Sequence, residues 1–181
     1  IAKRATGLLG AAALALGFLH GCATSAGGDG LQSVDHYVTL KSSVPALAGQ
    51  NTRIYVRERV KTGTAPRGVV LFVHGAGTPA AVAFDVPHKD YSWMAYLANA
   101  GYDTFAMDLT GYGRSTRPAP MNDPCNLSPK QQAGIVPAGQ NCKPQSGYLS
   151  AITTEWEEID AVVEYLKKLR GVQKVSLVAW S

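Results

Sequence analysis

Three short segments of this 181-residue sequence bring together residue types that can do chemistry. The first is His74-Gly75-Ala76-Gly77, where small residues follow an apolar run and let the backbone approach a bound group closely. The second is Asp108-Leu109-Thr110-Gly111-Tyr112-Gly113-Arg114-Ser115, a glycine-rich turn. The third is Leu177-Val178-Ala179-Trp180-Ser181, an apolar run that ends in a serine. A serine hydroxyl is a weak nucleophile until a base takes its proton. Taken alone, Ser181 reads as an ordinary small residue after a strand. His74 reads as a group that shapes its loop, and Asp108 as one that fixes the following turn through its carboxylate. Trp180 reads as packing.

The elements around these segments determine whether they can meet. Residues 34–41 and 52–60 alternate between apolar and polar positions and are rich in β-formers, which predicts two half-exposed antiparallel strands. Pro45 and Gly49 mark the turn between them. Residues 68–73, Gly-Val-Val-Leu-Phe-Val, form a continuous apolar run, as expected of a strand covered on both faces. Residues 91–100 read as a helix stopped by Gly101. Residues 103–107 read as a short strand ending at Asp108. Residues 110–148 hold most of the prolines and a cysteine pair, and read as a long irregular insertion.

Residues 154–170 form the clearest helix. Thr154 and Glu157 have capping-box spacing, and Ile159, Val162, Val163, Leu166 and Leu169 form an apolar stripe. Lys167, Lys168 and Arg170 sit where the helix dipole favours cations. Residues 174–179 read as another buried strand. Alternating strands and helices predict a mostly parallel sheet flanked by helices, with its first strands antiparallel. Ligands in such sheets bind beyond the carboxyl ends of the strands, where all three segments lie.

In order and spacing the three segments resemble the α/β-hydrolase fold family, over residues 33–181. Ala179-Trp180-Ser181 is similar to the first half of the G-x-S-x-G nucleophile elbow, with Ala in place of the first Gly. His74, Gly75 and Gly77 resemble that family's oxyanion loop, and residues 108–115 its D-x-x-G-x-G-x-S turn. The resemblance implies that Ser181 is the nucleophile. It also implies that the Ala76 backbone N–H, or less readily that of Gly77, donates to an oxyanion, an interaction worth about 3 kcal/mol. Acid and base follow the serine in this family, so His36, His74 and His88 are not expected to be the base. His88, Asp85 and Trp93 are expected at most at the border of the pocket.

The start of the chain reads as an export signal. Lys3 and Arg4 precede an apolar run from Gly7 to Leu19, shorter than the roughly 20 residues of a membrane-spanning helix. Leu19-His20-Gly21-Cys22 resembles a bacterial lipobox, although His20 departs from the small residue usual there. The resemblance implies a signal over residues 1–21, lipidation of Cys22 and a tether over 22–32; ordinary secretion is the simpler alternative. Cys125 and Cys142 are expected to form a disulfide in an oxidising compartment, contributing roughly 3 kcal/mol. Separate buried thiols fit the polar surroundings less well, and no nearby ligand set suggests a metal.

The formal net charge is +4, of which Lys3 and Arg4 carry two, and no basic stripe is present. Nucleic-acid binding is therefore not expected. The expected function is hydrolysis of a carboxylic ester through an acyl-enzyme, without a cofactor; an amide or lactone is a lesser alternative. A non-catalytic hydrolase-fold binding lipoprotein and an acyltransferase of the same fold remain as other readings. The chain is expected to be the N-terminal part of its domain, partnered by a C-terminal part that supplies acid and base. It is expected to be periplasmic or at the cell surface, held by a lipid anchor.

Overall fold

The computed structural model describes residues 30–63, 65–143 and 149–180. The signal region, His20, Cys22 and Ser181 lie outside the described residues. Among the described residues no helix is long and apolar enough to cross a membrane.

Five strands form one sheet: β1 (Leu31–Lys41), β2 (Asn51–Lys61), β3 (Val69–Val73), β4 (Asp103–Met107) and β5 (Ser176–Ala179), in the order β1-β2-β4-β3-β5. β1 pairs antiparallel with β2, and β2 antiparallel with β4. β3 runs parallel to both β4 and β5. This is the mixed sheet that the sequence pattern predicts. β3 and β4 are buried at every position, because they lie in the middle of the sheet with helices on both faces.

One face carries α1 (Ala80–Phe84) and α2 (Trp93–Asn99) over Val70, Phe72 and Ala106. The other carries α4 (Ile152–Arg170) over Ile54, Val56, Leu71 and Phe105. α2 starts where the Ser92 Oγ accepts the Ala95 N–H at 2.9 Å. It is shorter than the predicted 91–100 by two residues at its start and one at its end.

Three expectations are corrected. α4 begins two residues earlier than predicted, so Thr154 is not its N-cap. The Thr154 Oγ1 instead sits in the first turn and accepts the Ala151 N–H at 3.0 Å. Of the predicted stripe, Val162 and Leu166 are fully buried while Leu169 is 38% exposed, because the buried row runs at four-residue steps from Thr154 through Glu158. β5 was expected to be buried but is mostly exposed, with Leu177 and Trp180 each 54% accessible. Among the described residues it pairs with β3 alone, which makes it the edge of this sheet.

The core face of β2 also carries a charge. Glu58 follows Ile54 and Val56 on that face and is 2% exposed. It accepts from the Arg170 Nη2 at 2.5 Å and lies 2.6 Å from the His36 Nε2. The Arg170 Nε donates to the fully buried Asp103 at 2.5 Å, and the guanidinium lies over the Phe105 ring. The His36 Nδ1 meets the Tyr165 hydroxyl at 3.0 Å, so this imidazole is committed to the α4 face, away from the strand ends.

Candidate active site

β3 ends at Val73 and β4 at Met107, side by side in register. His74 and Asp108 therefore leave the sheet as neighbours, and each ties down the other's segment. The His74 Nε2 accepts the Leu109 N–H at 3.1 Å, and its Nδ1 lies 2.8 Å from the Gly75 carbonyl oxygen. An N–H donor at Leu109 and a carbonyl acceptor at Gly75 together place the ring proton on Nδ1. The imidazole is 3% exposed and stacks edge-on against Tyr112. Both its nitrogens are engaged in shaping the loop.

Asp108 is 2% exposed, and both its carboxylate oxygens are used. Oδ1 accepts the Ala80 N–H at 2.7 Å, at the start of α1. Oδ2 accepts the Arg114 N–H at 2.9 Å across its own turn. Residues 75–79 are thus pinned at both ends to the segment that follows β4. Within this span Ala76 and Gly77 are exposed. The Gly77 N–H, at a φ of +99°, reaches the Tyr112 hydroxyl at 3.4 Å. Among the described residues the Ala76 N–H meets no protein acceptor.

The glycine-rich turn combines a left-handed backbone with close contacts. A Cβ on Gly113, at a φ of +46°, would lie 1.9 Å from the Asp108 Oδ2. A Cβ on Gly111, at a φ of +90°, would lie 2.5 Å from the Met121 sulfur. Glycine is the residue that satisfies both the left-handed backbone and the close approach. The Ser115 hydroxyl closes the turn, donating to the Asp108 carbonyl at 2.5 Å and accepting the Tyr55 N–H at 2.9 Å.

Sequence reasoning missed Glu158. This α4 residue is 4% exposed, and its Oε2 accepts the Thr110 N–H at 2.9 Å. Burial pushes its carboxyl above the usual range, and the hydrogen bond from Thr110 acts against that. Its signal in the sequence was a carboxylate four residues before Val162, on the buried row.

Ala179 is level with Val73, so β5 ends beside the start of the pinned loop. Ser181, two residues further along the chain, lies outside the described residues. Cys125 and Cys142 form the expected disulfide, with Cα atoms 5.0 Å apart. The insertion around them is less irregular than expected, with 3-10 turns at Ala119–Asn122 and Pro124–Asn126 and a short helix, α3 (Pro129–Gln132). It returns to the turn through the Arg117 Nη1, which donates to the Gly111 carbonyl at 2.6 Å.

Asp85, His88 and Trp93 stand elsewhere. Asp85 pairs with Arg57 and Arg59, the His88 ring packs on Tyr91, and the Trp93 ring on Phe84. Among the described residues no group of three or more His, Cys, Asp or Glu side chains is placed to hold a metal ion.

Comparison with known proteins agrees with this architecture. A family model described as alpha/beta hydrolase fold matches residues 68–181. A stretch of 60 residues is 42% identical to an epoxide hydrolase of Caballeronia sordidicola, covering 30% of this chain and 18% of that protein. The fold is similar to acetyl xylan esterase 1 from Thermoanaerobacterium sp. JW/SL YS485, with a TM-score of 0.53 and 14% identity over 88% of this chain and 44% of the esterase. An epoxide hydrolase from Vigna radiata aligns with a TM-score of 0.39 at 24% identity, over 80% of this chain and 31% of that one. The chain thus spans less than half the length of each of these relatives.

Proposed function

Because the chain belongs to the alpha/beta hydrolase fold family, we propose that the whole protein is a serine-dependent hydrolase of carboxylic esters. The observation that carries this reading is the double anchoring of residues 75–79, through His74 and Asp108, beside the end of β5. Such anchoring fixes the backbone N–H groups before any substrate arrives. A donor held in place stabilises developing negative charge without reorganising during the reaction. In our reading Ser181 attacks the ester carbonyl and the Ala76 N–H donates to the oxyanion. The Gly77 N–H, already directed at Tyr112, suits that role less well. A base and an acid following Ser181 in the whole protein complete the relay, and water then releases the acid from the acyl-enzyme. Amides and lactones share this chemistry, as does acyl transfer. A binding lipoprotein without catalysis would have no need of a prearranged donor.

The likeness to an epoxide hydrolase supports a second reading, ring opening of an epoxide. The residue types speak against it, because that branch of the family uses aspartate where this chain has Ser181. The two readings separate in one assay of the whole protein. With p-nitrophenyl acetate it should turn over, with a burst of p-nitrophenol of about one equivalent per site, while styrene oxide is left unchanged. Turnover of the epoxide without the ester would overturn the ester reading.

We also place the protein outside the cytoplasm, anchored through Cys22. The Cys125–Cys142 bond supports export, because disulfides persist in oxidising compartments. The insertion that it closes follows the glycine-rich turn, and we assign it to the rim of the substrate entrance.

A further inference from the structure

On the α1/α2 face of the antiparallel strands lies a cleft of about 790 Å³, whose polar side is built from Arg57, Arg59, Asp85 and Lys89. The cleft is separate from the candidate active site. Arg59 stands opposite Thr104 and Arg57 opposite Ala106, so both flank the body of β4, whereas the active-site segments begin after Met107. Its size falls within the range of small-molecule sites.

The charges in this cleft do not balance. Asp85 is 9% exposed and serves both arginines, lying 3.1 Å from the Arg57 Nε and 3.4 Å from the Arg59 Nε. It also accepts the Ser92 hydroxyl at 2.7 Å. Both guanidinium side chains are about three-quarters covered, at 26% and 22% exposed. One carboxylate therefore faces two largely desolvated cations, and among the described residues neither arginine has a second acidic partner. Asp90 and Lys89 at the lip carry opposite charges and leave the sum at +1. The Arg59 Nε is buried without a hydrogen bond. Asp85 approaches both arginines from the Nε side, and among the described residues no acceptor meets their terminal Nη groups. Those Nη groups are not among the buried unpaired atoms, so they stay open to solvent and to a ligand.

We propose that this cleft is a second ligand site, which takes a small organic carboxylate with an apolar body. The paired oxygens of a carboxylate match the fork of a guanidinium, and one negative charge brings the site to neutrality. Ala81, Val82, Val86 and Pro87 supply an apolar wall for the rest of the ligand. At the lip, Lys89 holds a left-handed backbone with a φ of 48°, a conformation that non-glycine residues adopt at a cost and that tends to occur at ligand-binding loops.

Calorimetric titration of the whole protein with hexanoate, benzoate and inorganic phosphate tests this. Hexanoate and benzoate should each bind once per chain and compete with each other, and phosphate should bind more weakly than either. Arg59→Met keeps the apolar stem and removes the fork, so it should weaken carboxylate binding by about 10- to 100-fold, the range for losing a hydrogen bond to a charged group. Val82→Trp provides an independent check. Val82 is 62% exposed, so the variant is expected to fold, and its indole should fill the cleft and abolish binding. Ester turnover should be unchanged in both variants, which separates this site from the catalytic one. Absence of carboxylate binding in the wild type, phosphate binding more tightly than hexanoate, or binding unaltered by Val82→Trp would each overturn the proposal.

Discussion

Replacing Ser181 with alanine in the whole protein should lower kcat for ester hydrolysis by about 10⁵-fold, with little change in the melting temperature. The size of the loss follows from the way the catalytic parts depend on one another. Without the hydroxyl no acyl-enzyme forms, so a base has nothing to activate, and only substrate binding and the oxyanion donor remain. Those residual contributions typically leave some 10³-fold of rate over the uncatalysed reaction. Steady-state kinetics on p-nitrophenyl acetate, with the burst phase recorded, measure the effect. A variant that kept more than a tenth of wild-type kcat would remove Ser181 from the mechanism. The melting temperature serves as the control, because the substitution removes one oxygen atom and no carbon.

Arg170→Leu should have the largest effect on stability, about 3 kcal/mol at pH 8, and a smaller effect at pH 5. Arg170 is the shared cation of Glu58 and Asp103, at 2.5 Å from each. Removing it leaves two buried carboxylates together, and breaking a buried pair from one side is costly. The pH dependence follows from the two carboxyls. Burial, with Glu58 nearby, outweighs the Arg170 bond and pushes the Asp103 carboxyl up to about 6. Its folded value lies above its unfolded value of 3.8, so its favourable contribution is complete at low pH and is lost as the pH rises through about 6. Burial pulls Glu58 upward as well, but His36 and Arg170 outweigh it and hold that carboxyl below its usual range. Its contribution is therefore present at neutral pH and lost on acidification. Without Arg170 both carboxyls rise, both can take up protons at pH 5, and the full cost appears at pH 8. Urea unfolding of wild type and variant at the two pH values gives the difference. An equal loss at both values would show that the packing of the Arg170 guanidinium over Phe105 matters, rather than its ion pairs with the two carboxylates.

The parts of this fold that the sequence reveals are those where one physical demand dominates. Residues 69–73 are apolar throughout because helices cover both faces of their strand, and they were legible as a buried strand, whereas 103–107 were legible only as a short strand because Asp103 and Thr104 carry polar groups into a fully buried element. Gly111 and Gly113 marked a turn with a left-handed backbone, and at Gly113 the Asp108 carboxylate also leaves no room for a Cβ. Where two demands compete, the pattern misleads. β2 alternates as a half-exposed strand, yet Glu58 takes a core position because Arg170 reaches it from α4, more than a hundred residues away. Its opposite face, read as solvated, is covered near Arg57 and Arg59 by α2 and Asp85. α1 itself was not foreseen. It has five residues and no side-chain cap, and its first N–H is satisfied by Asp108 from a distant strand end, which no local signal announces. β5 carries the composition of a buried strand, and its exposure depends on which elements stand beside it.

His74 and Asp108 show the same distinction at the candidate site. Their residue types and places after strands were legible, as was a structural role for each. That His74 is bound to Leu109 and Asp108 to Ala80, so that the two segments hold each other, required the register of β3 against β4.

The central claim is that this scaffold presents a nucleophilic serine to an ester carbonyl. Treating the whole folded protein with a fluorophosphonate and mapping its peptides by mass spectrometry tests that most directly. One adduct per chain is expected, on Ser181, blocked by prior incubation with an ester substrate and absent in Ser181→Ala. An adduct on a different residue, or none in a sample that hydrolyses esters, would contradict it.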